Sequence, residues 1–236
     1  MFYNKHLGFK KDIKLLESAK DKTFLKTKEQ AEILLKKAFA ENILEPKAIY
    51  RFLPSQSVEN SILIYNVSDG FKPVELSFPR QKTGDKLCLS DFVFPAESGN
   101  MDCIALFVCT IGGKFAEEYK KLKESGNFVD SHLLGLLAIT CAEALAELVH
   151  SDIRNLWGFP DATDMTVEQK INGLYRGKRF SPGYSVCPDL SAQKKLFDLL
   201  GPAEIGVSLT DGFMMEPEAS VSALVFHSPT ACYFEI

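Results

Sequence analysis

Apolar residues at helical spacing mark the first part of the chain. Over residues 27–39 they recur every three or four positions among lysines and glutamates, which is typical of an amphipathic helix. Thr27 stands at the start of this stretch, where a threonine is a suitable N-cap. We therefore predict that residues 1–45 form an N-terminal helical segment.

The pattern changes to short strands after Pro46. Four runs rich in branched and aromatic residues are bounded by turn-forming residues, at 48–53, 61–67, 74–78 and 103–110. The fourth run is apolar almost throughout, which favours a fully buried strand, and Gly112 and Gly113 close it. These runs do not alternate regularly with helices, so a meander-like order of strands is predicted.

A long apolar stretch over residues 130–157 follows the strands. It contains no proline and a single glycine, and apolar residues occupy most of its faces, which predicts one long buried helix. Further on, Ser191 is a suitable N-cap for a short amphipathic helix over residues 192–200. Strand-like runs then occur at 203–209, 220–227 and 232–234. Strands, a long helix and strands again indicate an α+β fold with a mostly antiparallel sheet.

Composition and charge narrow the range of partners. The 236 residues are 46% hydrophobic and 25% charged, and a net charge of -4 favours neither a nucleic-acid nor a membrane partner. No apolar run is expected to span a bilayer, and the first residues do not resemble a signal peptide. The six cysteines are widely spaced without a Cys-x-x-Cys pair, which predicts neither disulfides nor zinc and suits a cytoplasmic protein.

Candidate ligand-binding residues lie at positions 179–189. Arg179 and Tyr184 flank a Ser-Pro-Gly segment that cannot be helical, so a turn would present a cation and a phenol. Such a pair suits a ligand that has a carboxylate and a flat ring. On the long helix, Glu143 lies among small residues that leave room for a ligand ammonium group. The alternative, a solvated surface arginine near a turn, stays open at this point.

Glu147 and His150 follow Glu143 on the same helix. Their Glu-x-x-His spacing occurs in di-iron helix bundles, but such a site needs a second copy and two further carboxylates, which the sequence does not offer. The other interpretation is that this helical face meets solvent and that both residues make routine surface contacts. We therefore predict no metal site.

A series of residues from about position 87 to the end of the chain matches one known family. They are Cys88 to Val93, Ser98, Gly99, Asp102, Gly112, Gly113, Ala142 to Glu147, His150, Arg154, Trp157, Gly158, Arg179, Gly183, Tyr184, Cys187 to Asp189, Leu209, Thr210, Met215, Pro217, Ala219 to Ser222, His227 and Tyr233. They occur in the same order along this whole stretch, which resembles the activation domain of cobalamin-dependent methionine synthase.

The resemblance implies a C-shaped α+β domain over residues 46–236, forming one unit with the N-terminal helices, that binds S-adenosylmethionine on its inner surface. By match of motif, Arg179 would bind the methionyl carboxylate and Glu143 the methionyl amino group. The resemblance also assigns ligand contacts to Phe180, Ser181, Gly183, Tyr184 and Tyr233. It implies no catalytic residue, because such a domain acts by positioning the methyl donor.

The function implied by the resemblance is reactivation. One electron, usually from flavodoxin, and a methyl group from S-adenosylmethionine return an oxidised cobalamin to methylcobalamin. A chain of 236 residues has no room for the other synthase domains. Cobalamin is therefore expected from a partner, a methionine synthase without its own activation domain, and no self-contained active site is expected. The alternative is a binding or regulatory module for a corrinoid protein that keeps the fold but not methyl transfer.

The chain departs from the family pattern at several places. The first eighty or so residues match poorly, and Asp12 and Glu17 are candidates by position only for a further acidic ligand. Leu190 stands where the family has a histidine, and the chain ends at Ile236 without the family's helical tail. These departures concern ligand affinity and the surface that would face cobalamin more than the fold.

Overall fold

One antiparallel sheet organises the protein. The computed structural model describes residue 16 and residues 18–236. The strands of the sheet lie in the order β3-β2-β1-β4-β8-β5, and each neighbouring pair is antiparallel. The bounds of these strands are Lys47–Val58 for β1, Ser61–Asn66 for β2, Lys72–Ser77 for β3, Asp102–Thr110 for β4, Lys178–Phe180 for β5 and Ser220–Phe226 for β8.

Two further strands, β6 (Ser208–Leu209) and β7 (Met215–Glu216), form a separate hairpin. The α-helices within the described residues are α1 (Lys22–Ala40), α2 (Phe115–Glu124), α3 (Phe128–Leu156), α4 (Val167–Ile171) and α5 (Ala192–Leu200). This mixture of an antiparallel sheet and helices confirms the predicted α+β class. Strands β1, β2 and β3 pair in sequence as a meander requires, but β4 returns to pair with β1, so the predicted meander-like order is wrong for the fourth strand.

Strand β4 lies at the centre of the core and is buried on both faces, as its apolar sequence predicted. Because successive side chains point to opposite faces, Leu106 and Val108 enter one core cluster with α5, while Ala105 and Phe107 enter another with α3. The sheet is therefore covered by α5 on one face and by α3 on the other.

Helix α3 lies against the sheet through a stripe of residues that includes Ala146, Val149 and Ile153. Its N-terminal half packs against α1, where Ala31 meets Leu133 and Leu137. The prediction of a buried helix is correct for these faces only, since its outer face leaves apolar side chains such as that of Leu148 exposed.

The length and composition of α3 would also allow it to cross a membrane, contrary to the expectation from the sequence. The core helix of a soluble protein passes the same test, and α3 packs against both β4 and β8.

One of the two predicted helix caps is wrong. Helix α1 begins earlier than predicted, because the Asp21 side chain accepts a hydrogen bond from the Phe24 N–H. Thr27 lies inside the helix, where its hydroxyl donates to the carbonyl of Thr23. Ser191 is the N-cap residue of α5, as predicted, and its hydroxyl donates to the Asp189 carboxylate.

Two predicted strands near the C-terminus are also wrong. Residues Pro202–Ile205 form a 3-10 helix, and only Ser208–Leu209 of the run 203–209 is a strand. Pro202 suits the first turn of a helix, and Gly206, with φ of 78°, ends it in a left-handed conformation. Residues 232–234 form no strand. Asp12 and Glu17 lie outside the described residues.

Candidate functional site

A gap beside β8 forms the principal cavity of the site. Strand β5 pairs only with Leu224–Phe226, whereas β4 pairs with β8 as far back as Ser220. Beyond Phe180 the chain turns away from the sheet, so residues 220–222 of β8 border open space instead of a continuing β5. The cavity there has a volume of about 390 Å³. This size falls within the usual range for small-molecule sites.

Six of the seven predicted ligand residues line this cavity. They come from α3, from β5 and the turn after it, and from the C-terminal segment, and they are Glu143, Arg179, Phe180, Ser181, Tyr184 and Tyr233. The fold thus brings together residues that are widely separated in sequence, although their roles toward a ligand stay predictions.

Gly183 is the one predicted residue that does not line the cavity. It lies in the turn itself with φ of 92°, a conformation that glycine adopts most easily, and its N–H donates to the Cys187 carbonyl at 2.8 Å. A β-carbon there would lie 3.2 Å from Leu190 Cδ1, so Leu190 packs beneath the turn. The Cys187 N–H donates in turn to the Tyr184 carbonyl at 2.9 Å. The resulting turn presents the exposed Tyr184 at the cavity.

The Arg179 guanidinium is bound by Glu147, which lies on α3. Its Nη1 donates to Glu147 Oε2 at 2.7 Å and lies 3.4 Å from His150 Nδ1. Burial works to lower the pKa of the Arg179 guanidinium, but the hydrogen bond and the charge of Glu147 outweigh it and raise that pKa. Among the described residues, Nε and Nη2 of Arg179 have no hydrogen-bond partner. These donors remain available to an anion in the cavity.

Glu147 belongs to a network of alternating positive and negative side chains that continues into the core. The Tyr175 hydroxyl donates to Glu147 Oε2 at 3.2 Å, and Arg154 Nη2 lies 3.7 Å from Glu147 Oε1. Arg154 in turn makes two hydrogen bonds to Asp161, at 2.7 and 2.8 Å. In the order Asp161–Arg154–Glu147–Arg179, two carboxylates alternate with two guanidinium groups, so each guanidinium lies beside an opposite charge.

The interpretation of Glu147 and His150 as surface residues is wrong. His150 is fully buried, and Glu147 makes the contacts described above. Burial, together with the charges of Arg154 and Arg179, lowers the pKa of His150 to about 2. The imidazole is therefore neutral at physiological pH and can sit beside two guanidinium groups without charge repulsion.

Glu143 lies one helical turn before Glu147 and lines the cavity. The neighbouring residues Ala142 and Ala146 are buried against the sheet and bring the helix close to it. The cavity therefore has a carboxylate on α3 and a guanidinium on β5 among its lining groups. This arrangement can bind a zwitterion by both of its charges.

Sequence reasoning missed two polar lining residues, Gln193 and Ser222. Both are buried, and the Ser222 hydroxyl donates to Gln193 Oε1 at 2.7 Å. A signal for Gln193 was present, because it interrupts the apolar stripe of α5 that Leu196 and Leu200 continue. A polar residue at such a position needs a hydrogen-bond partner inside the fold.

Comparisons with known proteins point to one family. A family model described as vitamin B12 dependent methionine synthase, activation domain, matches residues 6–236. Methionine synthase of Mycobacterium tuberculosis is 33% identical over 202 residues, covering 80% of this chain and 17% of that protein. The methionine synthase of Mycobacterium leprae is 32% identical over 200 residues, with the same two coverages. The chain therefore spans about a sixth of the length of these relatives.

A solved structure is also similar. The crystal structure of the MetH reactivation domain bound to AdoHcy superposes with a TM-score of 0.91 at 28% identity. The match covers 99% of this chain and 74% of that chain, so the likeness extends over the whole fold.

Proposed function

Because the chain belongs to the activation-domain family of vitamin B12-dependent methionine synthases, we propose that it binds S-adenosylmethionine in the cavity beside β8 and supplies its methyl group for reactivation. One observation carries the proposal: six residues that the family resemblance assigns to the ligand line one cavity, with Glu143 and Arg179 both among them. The AdoHcy bound to the similar reactivation domain supports a ligand of this class.

The charges and rings of the cavity match the parts of S-adenosylmethionine. Arg179 would bind the carboxylate through the donors that Glu147 leaves available, and Glu143 would accept hydrogen bonds from the ammonium group. The Tyr233 ring packs edge-on against Phe180, with 5.5 Å between ring centroids, and both line the cavity. Aromatic faces are favourable neighbours for the positive sulfonium.

Positioning would be the chain's contribution to methyl transfer. Cobalamin, held by a partner methionine synthase without its own activation domain, would supply the reactive cobalt, and flavodoxin or another reductase would supply the electron. This chain would hold the methyl donor in one orientation, which lowers the barrier by proximity and orientation. Its charged lining groups support the ligand-binding part of this role.

Calorimetric titration with S-adenosylmethionine tests the ligand half of the proposal. We expect saturable binding, and we expect Arg179→Ala and Glu143→Ala each to weaken it about 10- to 100-fold, because each removes a charge-assisted hydrogen bond. Arg51→Ala is a matched control, since Arg51 is exposed on β1 and does not line the cavity. Absence of saturable binding by the native chain would refute the proposal.

A reconstitution assay tests the reactivation half. The native chain would be added to a methionine synthase that lacks its activation domain and carries oxidised cobalamin, together with a reductant and S-adenosylmethionine. We expect the absorption spectrum of methylcobalamin to appear only when this chain is present, and Arg179→Ala to slow its appearance. Binding to the synthase without methylation would favour the regulatory alternative.

A further inference from the structure

Gln193 is a buried amide at the edge of the cavity. Its side chain lies on α5 within the apolar stripe of that helix and is only 4% exposed. The Ser222 hydroxyl donates to its Oε1 at 2.7 Å, and Ser222 is itself buried. Both residues line the cavity. One end of the amide is therefore fixed to β8 by a buried hydrogen bond.

The other end of the amide lacks a partner among the described residues. Within the part of the chain that the structure describes, Nε2 of Gln193 forms no hydrogen bond. Unlike Nε2 of His150, which is completely enclosed, Nε2 of Gln193 retains some exposed surface. Because Gln193 lines the cavity, we take this surface to face the open space there. An unpaired donor in a largely buried side chain is unfavourable, and an acceptor atom on a ligand would satisfy it.

The sheet separates this amide from the charged groups of the cavity. Leu224 and Phe226 of β8 pack on the side of α5, whereas Ala223 and Val225 pack on the side of α3. Ser222 lies two residues before Leu224 on the same strand, so its side chain points to the same face of the sheet. This places Ser222 with Gln193 on the α5 side. The cavity passes the edge of β8 and reaches α3 on one side and α5 on the other.

Strand register gives the spacing along the sheet. Arg179 pairs with Val225, and Ser222 lies three residues earlier on β8. At about 3.3 Å for each residue, this separation is roughly 10 Å along the strand. The pair of Gln193 and Ser222 is thus offset along the strand from Arg179 and lies across the sheet edge from Glu143 on α3. An extended ligand held at Arg179 and Glu143 by its amino-acid part would reach this neutral pair with its uncharged nucleoside part.

We propose that Gln193 binds the nucleoside part of the ligand, donating its Nε2–H to an acceptor nitrogen or oxygen there, while Ser222 fixes the orientation of the amide. This inference rests on the proposed function, because it takes S-adenosylmethionine as the occupant. It divides the cavity into a charged end that binds the amino acid and a neutral end that selects the nucleoside.

Two ligands and two substitutions test the charged end and the neutral end of the cavity separately. S-adenosylmethionine carries both parts, whereas 5′-methylthioadenosine carries the nucleoside without the amino-acid group. Gln193→Met, which is close in size but has no amide, should weaken the binding of both ligands about tenfold. Arg179→Ala should weaken only S-adenosylmethionine. Because the two contacts lie far apart, their effects on S-adenosylmethionine should multiply in the double variant.

Further variants distinguish the loss of the Gln193 contact from misfolding of the protein. Ser222→Ala releases Oε1 without touching the amide and should weaken both ligands about two- to threefold. Lys194→Met places a methionine on the same helix but outside this cavity and should change neither affinity. Thermal unfolding of each variant identifies any that are misfolded.

The possible failures are distinguishable. If the native chain does not bind S-adenosylmethionine, the proposed function itself fails. If it does bind, but folded Gln193→Met and Ser222→Ala both bind the two ligands as tightly as the native chain, only the inference about Gln193 is overturned. A loss in Gln193→Met that is confined to S-adenosylmethionine would also overturn it, because the amide would then serve the amino-acid end.

Discussion

Arg154 and Asp161 form a buried ion pair on which the geometry behind Arg179 depends. The Arg154 side chain is 1% exposed and that of Asp161 is 7% exposed, and two hydrogen bonds join them. The guanidinium also lies over the Tyr175 ring, with Cζ 3.7 Å from its centroid. We predict that Asp161→Asn destabilises the fold strongly, because it leaves a buried cation without its main anionic partner.

The size of the effect follows from the burial of the pair. Removing one partner of a buried ion pair costs about 3–5 kcal/mol. Glu147 remains 3.7 Å from Arg154 and compensates part of the charge, so we expect the lower end of that range. For a chain of this length, each kcal/mol lowers Tm by about 2–4 °C, which gives a fall of roughly 10 °C. Asp198→Asn is a matched control, since Asp198 pairs with Lys194 at the surface and should matter by less than about 1 kcal/mol.

The pH dependence of stability provides the sharper measurement. The hydrogen bond from Arg154 and the charge of that residue lower the pKa of Asp161 in the folded protein, against the effect of burial. A carboxyl group with a lowered folded pKa stabilises the protein above its unfolded pKa of about 3.9 and loses that contribution as the pH falls through the folded value. The difference in unfolding free energy between native chain and Asp161→Asn should therefore be large at pH 7 and shrink below about pH 4.

Urea unfolding of both proteins between pH 3 and pH 7.5 would measure this difference. A native-to-variant difference below about 1 kcal/mol at pH 7, or one that does not change with pH, would refute the reasoning. The first result would mean that the ion pair gives no net stabilisation. The second would mean that the variant acts through packing and not through the charge of Asp161.

Two further predictions concern ligand binding at the site and the stability of the turn that precedes β5. Glu147→Gln should weaken S-adenosylmethionine binding about tenfold in a calorimetric titration, because Arg179 loses the carboxylate that orients it; unchanged or tighter binding would contradict this. Gly177→Ala should cost more than about 2 kcal/mol in urea unfolding, because φ is 77° and a β-carbon would lie 2.6 Å from the Phe226 carbonyl oxygen. Gly201→Ala, with φ of 70° but open space around it, should cost less and serves as the control.

The sheet and the long helix were largely predictable because local pattern and tertiary burial agree there. The apolar run of β4 is buried on both faces, and the stripe on α3 meets the sheet as its spacing requires. The prediction failed at Thr27, where a second residue competes for the same role. Thr27 is a good capping residue, but an earlier aspartate supplies the cap in α1, whereas Ser191 does occupy the cap position of α5.

Six of the cavity-lining residues were predictable from motif, but the environment of Arg179 was not. Its neighbours depend on where β5 joins β8, and the register that pairs Arg179 with Val225 is a contact between distant parts of the chain. That register aims the guanidinium at α3, where Glu147 and His150 would otherwise form an ordinary polar face. In sequence, Glu143 stood out from Glu147 one turn later by its small neighbours and by the family motif, whereas nothing indicated a role for Glu147. The fold supplies that role, since Glu143 lines the cavity while Glu147 binds the Arg179 cation beside it.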